Sequence, residues 1–392
     1  MITPAPKLAN VFECTGCLAC VASCKFSALS KTMGEDGHIY VKIDSDKCVG
    51  CRQCEKVCAR AREFAGNNDI QLSTPYSVWA NDVQLRQRST SGGLAAAAGT
   101  WIIKNGGSVS GVAFDGRRAA HVMVSNLSGL ASMQGSKYVY SDMLDAYKAI
   151  EDKLPSGMVL FTGTGCQAAG VLSFFESHPN RDNLYIMDII CGGVPSDLLM
   201  QVYFESNPRV SSISSFRSKR KYELKGIEGD KEVVLPSSAL PIAGFCAEQT
   251  MRYSCYDCPY SFAHRCSDIT VGDLWGNSAP SGERDKGVSL AVVHTSKGRH
   301  LLESLDVTKD SVKWDCFLPS NPRLVFGKSP VTVLRRRLEY NHKHLDPASF
   351  SRVYSLSSSV KQPLEFFVRL LVYIRRRYYR LLSRKCIKAI LK

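Results

Sequence analysis

Two short runs of cysteine constrain what this chain can fold into more than any other feature of its sequence. Each run places four cysteines within 11 residues, at intervals of two, two and three residues. Three closely spaced thiolates wrap one corner of an iron–sulfur cube, and the fourth is carried to a second cube. The repeat therefore predicts two [4Fe–4S] clusters, one on Cys14, Cys17, Cys20 and Cys58 and one on Cys48, Cys51, Cys54 and Cys24.

Residues 1–66 are accordingly predicted to form a two-cluster ferredoxin domain of bacterial type. Zinc and disulfides are the alternatives. Zinc sites use cysteine pairs with a longer spacer between them and need no third close cysteine. Disulfides need an oxidising compartment, and the N-terminus carries no secretion signal. The bacterial pattern ends in Cys-Pro, whereas these runs end in Cys-Lys at Cys24 and Cys-Ala at Cys58. Proline is not a ligand, so both clusters are expected to assemble.

The sequence from residue 75 to 330 predicts a mixed α/β domain, with an N-terminal part at 75–155 and a C-terminal part at 156–330. Strands are predicted at 107–114, 120–124, 158–161, 184–190, 268–274 and 288–294, and helices at 94–104, 168–176 and from 196 onward. Strands that alternate with helices favour a partly parallel sheet. The predicted fold class is therefore multi-domain, α+β and α/β.

The net charge of +14 is concentrated at the C-terminus, because residues 333–392 hold 15 Lys and Arg against three acidic residues. Residues 331–392 are predicted to form a basic amphipathic helical tail that lies on an anionic membrane surface. Packing on the body or on a partner subunit is the alternative, and nucleic acid is disfavoured because charge alone supports it. With no apolar stretch long enough to span a bilayer, the expected location is cytoplasmic, peripheral on the inner membrane face.

Five short motifs follow one another through the body, at residues 88–93, 134–138, 161–167, 191–196 and 255–276, with the sequences RSTSGG, QGSKY, FTGTGCQ, CGGVPS and CYDC…DITVGDLWG. Their order and joint presence, together with the cysteine runs, resemble the beta-subunit family of the coenzyme F420-reducing hydrogenases and formate dehydrogenases. That family also includes 7-hydroxymethyl chlorophyll a reductase. The resemblance implies a mixed α/β domain that binds a flavin, FAD or alternatively FMN, beside a further [4Fe–4S] cluster.

The residues of three motifs are expected to surround that flavin. A glycine-rich helix start offers N–H groups to a phosphate, and a lysine, a hydroxyl and an aromatic ring suit an isoalloxazine or a pyrophosphate. A plain helix cap and a solvated lysine are the structural alternatives. The candidates are Arg88, Ser91, Gly92, Gly93, Gly135, Ser136, Lys137, Tyr138, Thr162, Gly163, Thr164 and Gln167. No catalytic residue is predicted.

The resemblance also implies a ligand set for the third cluster, made of Cys166, Cys191, Cys255 and Cys258. Cys246 and Cys266 are reserve ligands, and buried structural thiols are the alternative. Two positions depart from the family pattern. Gly165 stands where proline is common, and Gly192 stands where many members have histidine.

Two functions follow from the resemblance. The first is an oxidoreductase that takes electrons from a ferredoxin-type or other low-potential donor, relays them through the clusters to the flavin, and delivers them to an organic acceptor, or the reverse. The second is a non-catalytic electron-transfer subunit of a larger redox complex. The substrate, the direction of electron flow and the use of coenzyme F420 are not fixed by the sequence.

Overall fold

A mixed β-sheet of nine strands organises the chain in the computed structural model, which describes residues 5–63, 70–219, 221–275, 279–327 and 331–355. The strands within these ranges are β1 (Leu29–Met33), β2 (Ile39–Ile43), β3 (Thr74–Ala80), β4 (Ser108–Phe114), β5 (Ala119–Val124), β6 (Ser141–Asp142), β7 (Val159–Thr164), β8 (Leu184–Ile189), β9 (Val210–Arg217), β10 (Tyr222–Glu228), β11 (Lys231–Val234), β12 (Ile269–Asp273), β13 (Ser289–Val293) and β14 (Val307–Ser311).

Most of the helices between and after these strands are short. They are α1 (Ala19–Ala22), α2 (Gln53–Val57), α3 (Val83–Arg88), α4 (Leu94–Lys104), α5 (Leu127–Ser132), α6 (Leu144–Lys153), α7 (Gly165–Phe174), α8 (Leu198–Ser206), α9 (Leu240–Ala247), α10 (Tyr253–Tyr256), α11 (Ser296–Glu303), α12 (Trp314–Phe317), α13 (Val333–Arg336), α14 (Leu338–His344) and α15 (Pro347–Tyr354). No helix in the described ranges is long and apolar enough to cross a membrane.

The large sheet has the order β14-β3-β13-β12-β8-β7-β4-β5-β6. Its centre is parallel, because β12 pairs with β8, β8 with β7 and β7 with β4 in parallel register. The β13, β3 and β14 strands extend one side in antiparallel register. The predicted partly parallel sheet is therefore confirmed, and the parallel strands place the loops after β7 and β8 at the same edge.

Helices cover both faces of this sheet. Alternate residues of one strand point to opposite faces, so Leu160 joins the core under α4, whereas Phe161 joins the core under α6 and α7. The second core also takes in Ala19 of α1. The N-terminal region thus shares a hydrophobic core with the body.

A third core lies beside the sheet, where α8 and α9 pack against the antiparallel sheet β9–β10–β11. Leu338, Phe350 and Tyr354 from α14 and α15 are buried in the same core. Residues 333–354 of the predicted tail therefore pack on the body. The rest of the predicted basic helix, residues 356–392, lies outside the described residues.

The N-terminal region repeats its backbone as well as its sequence. Gly16 and Gly50 hold corresponding positions in the two cysteine runs, and their φ values are 71° and 69°. Leu18 and Arg52 also correspond, with φ values of 63° and 60°. A positive φ is uncommon for such side chains, so the two loops repeat one strained path around their cysteines.

Candidate iron–sulfur and cofactor sites

The first thiol set consists of Cys14, Cys17, Cys20 and Cys58, which the fold brings together from the two runs. Burial, followed by the neighbouring Cys17, Cys58 and Cys14 thiolates, raises the pKa of Cys20. Burial raises the pKa of Cys17 to about 11, and Cys14 and Cys58 also raise it. This is the grouping that the crossed ligation pattern requires.

The second thiol set consists of Cys24, Cys48, Cys51 and Cys54, and its four residues line one hollow. Burial raises the pKa of Cys54, with the Cys24 and Cys51 thiolates adding to the effect. Each set has one buried cysteine, Cys20 or Cys54, but only the second set has an exposed one, Cys51. The second set therefore lies nearer the surface than the first.

The third thiol set consists of Cys166, Cys191, Cys255 and Cys258, and three separate parts of the body position it. Cys166 lies in the first turn of α7, Cys191 follows β8, and Cys255 lies in α10. Burial raises the pKa of Cys166 well above its ordinary value, followed by the effects of Cys258, Cys191 and Cys255. The four thiols predicted as one ligand set therefore lie at one place.

Polar groups already face the sulfurs of this third set. The Gly193 N–H donates to Cys191 Sγ at 3.3 Å, and the Val194 N–H donates to Cys255 Sγ at 3.4 Å. The Thr164 hydroxyl lies 3.2 Å from Cys166 Sγ. Hydrogen bonds to sulfur tune the reduction potential of a cluster, so these contacts suit thiolate ligands.

The reserve cysteines lie beside the third set. Cys266 packs in a small core with Cys166 and Cys258, and burial followed by the Asp188 carboxylate raises its pKa to about 12. Cys246 lies in α9, on the side of the core that also contacts Cys255.

The three sets fit iron–sulfur cubes in donor chemistry and in grouping. Within the described residues, no three Cys, His, Asp or Glu side chains are arranged around a single metal ion. A single zinc ion would hold its thiolates about 3.8 Å apart, and a four-iron cube holds them farther apart, so this finding does not conflict with clusters. Buried thiols must lose their protons when metal binds, and nearby cations help.

Arginines supply those cations around the third set, and the sequence did not identify them. Burial raises the pKa of Cys191 to about 11, and Arg323 and Arg265 oppose this effect. Arg323 donates to the Gly192 carbonyl at 2.9 Å. Arg252 opposes the effect of burial on Cys255. An arginine far from the cysteines in sequence carries no local signal, so only the folded chain reveals this arrangement.

Two of the predicted cofactor motifs meet in space. The Thr90 and Ser136 hydroxyls lie 2.9 Å apart, and Gln134 Nε2 donates to Ser89 Oγ at 3.1 Å. Lys219 Nζ donates to the carbonyls of Ser89 and Ser91 at 2.8 and 3.2 Å. A cation and several hydroxyls thus surround the 88–93 loop, where Arg88 is exposed.

Packing and backbone conformation also explain the glycines of this loop. A Cβ on Gly92 would lie 2.3 Å from the Val78 carbonyl oxygen, so only glycine fits against β3. Gly93 precedes α4 with a φ of 89°, which favours glycine. The predicted alternative of a simple helix start therefore explains Gly92 and Gly93. The evidence for a ligand at this loop comes from the nearby hydroxyls and from Lys219.

Tyr138 belongs to an aromatic group that lies between the 134–138 motif and the third thiol set. Its ring centroid is 4.4 Å from that of Phe245 and 5.3 Å from that of Tyr222. A Cβ on Gly192 would lie 3.5 Å from Phe245 Cζ, so this aromatic group reaches the residue next to Cys191.

An ion pair between a buried arginine and a partly exposed aspartate lies in the same region. Arg217 Nη1 lies 2.7 Å from Asp273 Oδ2 and donates to the Tyr138 hydroxyl at 3.3 Å. The Trp275 ring lies 5.3 Å from the Arg217 guanidinium carbon. The motif around Asp273 was recognised in the sequence, whereas Arg217 was missed because the strand that carries it lies outside every motif.

Lys137 is held rather than solvated. Its Nζ donates to the Met133 and Gln134 carbonyls at 2.6 and 3.0 Å, and burial lowers its pKa to about 8. Gly135 has a φ of 87°, which turns the chain between these two contacts. Lys137 therefore fixes the turn that presents Ser136 and Tyr138.

In the third cofactor motif, at the end of β7, most polar side chains are hydrogen-bonded within the fold. Thr164 and Gln167 form a capping box at the start of α7, and Gln167 Nε2 also donates to Ser141 Oγ at 2.9 Å. Thr162 donates to the Ser110 carbonyl at 3.5 Å. A Cβ on Gly163 would lie 2.7 Å from the Phe161 ring. This motif positions Cys166 more directly than it offers groups to a flavin.

Two family models match parts of this chain. Residues 157–311 match the family model for the C terminus of the coenzyme F420 hydrogenase/dehydrogenase beta subunit, and residues 13–61 match the 4Fe-4S dicluster domain. No curated protein matches the chain.

Among solved structures, a chain from the xenon-derivatised F420-reducing [NiFe] hydrogenase complex of Methanosarcina barkeri is similar. It has 15% identity and a TM-score of 0.45, over 70% of this chain and 90% of that one. The two family matches contain all twelve cysteines of the three thiol sets. Residues 157–311 are therefore similar to the C terminus of the beta subunit of coenzyme F420 hydrogenases and dehydrogenases, and residues 13–61 are similar to a 4Fe-4S dicluster domain.

Proposed function

We propose that this chain is an iron–sulfur flavoprotein oxidoreductase, which passes electrons between a ferredoxin-type donor and an organic acceptor in either direction. The observation that carries the proposal is spatial order. The second thiol set lies at the surface and the first lies against the body. The third lies between the first set and the aromatic group of Tyr138 and Phe245. Such an order suits single-electron relay to a two-electron cofactor.

Electrons would enter or leave at the second thiol set. Phe26 and Val49 line its hollow and are 49% and 55% exposed. Apolar side chains beside an exposed ligand, Cys51, suit a brief contact with a small redox protein. The donor in this proposal is a ferredoxin or another low-potential carrier.

The first and third sets are connected through α7. A Cβ on Gly170 would lie 3.0 Å from Cys17 Sγ, and Ala169 packs in one small core with Tyr260 and Cys166. Burial raises the pKa of Tyr260, and both Cys17 and Cys166 add to the effect. The small residues of α7 therefore let the two sets approach each other closely.

The flavin would lie where the 88–93 and 134–138 motifs meet. Thr90, Ser136 and Lys219 would bind its phosphate end, and Tyr138 and Phe245 would pack near its ring system, towards Gly192. When bound, a flavin collects single electrons and exchanges them in pairs as a hydride. Tyr138 and Phe245 exclude water from the side that faces the third set.

The electron-transfer subunit fits the comparisons about equally well. The family description names a beta subunit of hydrogenases and dehydrogenases, and in this second function the substrate chemistry would belong to a partner chain. In that case the three clusters only transfer electrons, and the organic acceptor binds to another chain.

Flavin content and turnover of the isolated chain distinguish these functions. We expect the anaerobically purified chain to hold about one flavin and the reduced ferredoxin to bleach it. Thr90→Val should release the flavin, because it removes a hydroxyl that is bonded to Ser136 and is proposed to bind the flavin phosphate. The iron content should be unchanged. Thr308→Val, which removes an exposed hydroxyl bonded to Asn81, is the control. Full iron without flavin, even after incubation with FAD or FMN, would instead identify an electron-transfer subunit.

A further inference from the structure

Arg252 is a buried cation at the seam between the N-terminal region and the body. Only 1% of its surface is exposed. Its backbone N–H donates to the Val194 carbonyl at 2.9 Å, and Val194 in turn binds Cys255 Sγ. The backbone of Arg252 is therefore anchored at the third thiol set.

The side chain of Arg252 extends the other way, to the loop of the first thiol set. Its Nη2 donates to the Ile39 carbonyl at 2.7 Å, and its Nη1 donates to the Cys14 carbonyl at 3.4 Å. A Cβ on Gly16 would lie 2.7 Å from Nη2. Glycine at this position is what lets the guanidinium reach the loop.

The charge of Arg252 acts on both sets. Burial raises the pKa of Cys14, and Arg252 is the largest opposing influence. Burial also raises the pKa of Cys255, and there Arg252 opposes it after the Val194 N–H. The guanidinium therefore lies within electrostatic range of one thiol from each set.

A buried cation is costly unless anions balance it. The hydrogen-bond partners of the guanidinium given above are carbonyl oxygens, and within the described residues its Nε has no partner. The nearby carboxylate is Asp197, whose pKa burial raises to about 6 while Arg252 opposes the rise. Thiolates that hold iron–sulfur cubes would add fixed negative charge on both sides of Arg252.

We infer that Arg252 is a counter-ion shared by the first and third clusters, which raises both reduction potentials and keeps them matched. This inference rests on the proposed cluster relay. If both clusters are bound, an electron passed from one to the other would move no proton. The guanidinium of Arg252 would stabilise the added negative charge before and after the transfer.

The test is a redox titration of the anaerobic full-length chain, followed by electron paramagnetic resonance, with iron counted on each sample. Arg252→Gln should lower the equilibrium constant for reduction of both clusters at least tenfold. This corresponds to a fall of about 59 mV in the potential of a one-electron couple. Arg323→Gln is the matched control, because Arg323 binds the carbonyls of Gly192 and Cys255. It should shift only the third cluster.

Two further variants keep the test decisive if Arg252→Gln loses iron. Arg252→Lys keeps the charge and should shift both potentials less than half as far. Asp197→Asn removes a nearby anion and should raise both potentials. A shift of one cluster alone, no shift, or an equal shift in Arg252→Lys and Arg252→Gln would overturn the inference. An iron count of about eight would show that the third cluster is absent and would overturn the relay and the shared counter-ion together, whereas full iron with no shift would overturn the counter-ion alone.

Discussion

The N-terminal region and the body gather cysteines in opposite ways. In the N-terminal region, each run of 11 residues carries three neighbouring ligands, and its loops repeat the same positive φ values. In the body, the third set gathers Cys166, Cys191, Cys255 and Cys258 from the ends of different elements. One region makes its site from local sequence, and the other makes it from the fold.

The difference teaches what holds each site in place. The N-terminal helices are four and five residues long, and such helices are not stable without external support. The core that surrounds Cys20, Ala28, Leu29 and Cys54 is small. In the body, a nine-stranded sheet fixes the positions of the ligands. Clusters should therefore stabilise the first region far more than the second.

The largest expected effect comes from removing one ligand in each region. Cys20→Ser should cost both N-terminal clusters, about eight irons, and expose residues 5–63 to protease, because metal binding there is coupled to folding. Cys258→Ser should cost about four irons and leave the body resistant. Iron analysis and limited proteolysis measure both effects, and exposed Cys316→Ser is the control. Equal losses in the two variants would remove the contrast.

The same contrast explains how far the sequence alone predicts the structure. The helix at 94–104 coincides with α4, and the predicted parallel strands β7 and β8 are present. The crossed grouping of the N-terminal cysteines also follows from their spacing. The β9–β11 sheet and β14 were missed, because their strands carry no motif. Arg252 and Arg217 were missed because a buried arginine becomes informative only when its neighbours are known.

The attachment between the two regions provides a second test. Arg335 of α13 forms a fully buried ion pair of 2.6 Å with Asp36, next to the β1–β2 hairpin. Arg335→Met leaves that carboxylate buried and unpaired, and should lower the free energy of unfolding by about 3–5 kcal/mol. Lys343→Met breaks an exposed pair with Glu35 and should cost about 0–1 kcal/mol. Denaturant unfolding measures both, and similar costs would contradict the buried attachment.

A smaller effect is expected where α7 contacts the first thiol set. Gly170→Ala places a methyl group 3.0 Å from Cys17 Sγ and 2.9 Å from the Tyr147 hydroxyl, and overpacking of this kind costs about 1–3 kcal/mol. Gly192→Ala meets only Phe245 Cζ at 3.5 Å, an ordinary contact, and should be nearly neutral. Thermal unfolding compares the two. If Gly192→Ala destabilises the protein more than Gly170→Ala, the packing of α7 against the first thiol set is not the tighter of the two contacts.

Acid should weaken the body in part through His294, one of its buried histidines. His294 lies between the Ser73 and Thr270 hydroxyls, each at 2.8 Å, and burial lowers its pKa to about 3. The unfolded chain binds this proton below about pH 6.5, so stability is lost as the pH falls from there towards 3. The slope from this histidine is about 1.4 kcal/mol per pH unit. Denaturant unfolding of His294→Gln between pH 6.5 and 4 should show a correspondingly flatter pH dependence than the wild type, and an unchanged slope would exclude His294.

We propose that local sequence builds two clusters and that the fold assembles a third. Iron and acid-labile sulfide, counted on the anaerobically purified wild type and on the Cys166→Ser, Cys255→Ser double variant, test it most directly. We predict about 12 irons in the wild type and about eight in the variant, with equal sulfide. About eight irons in both proteins would show that the third thiol set holds no cluster.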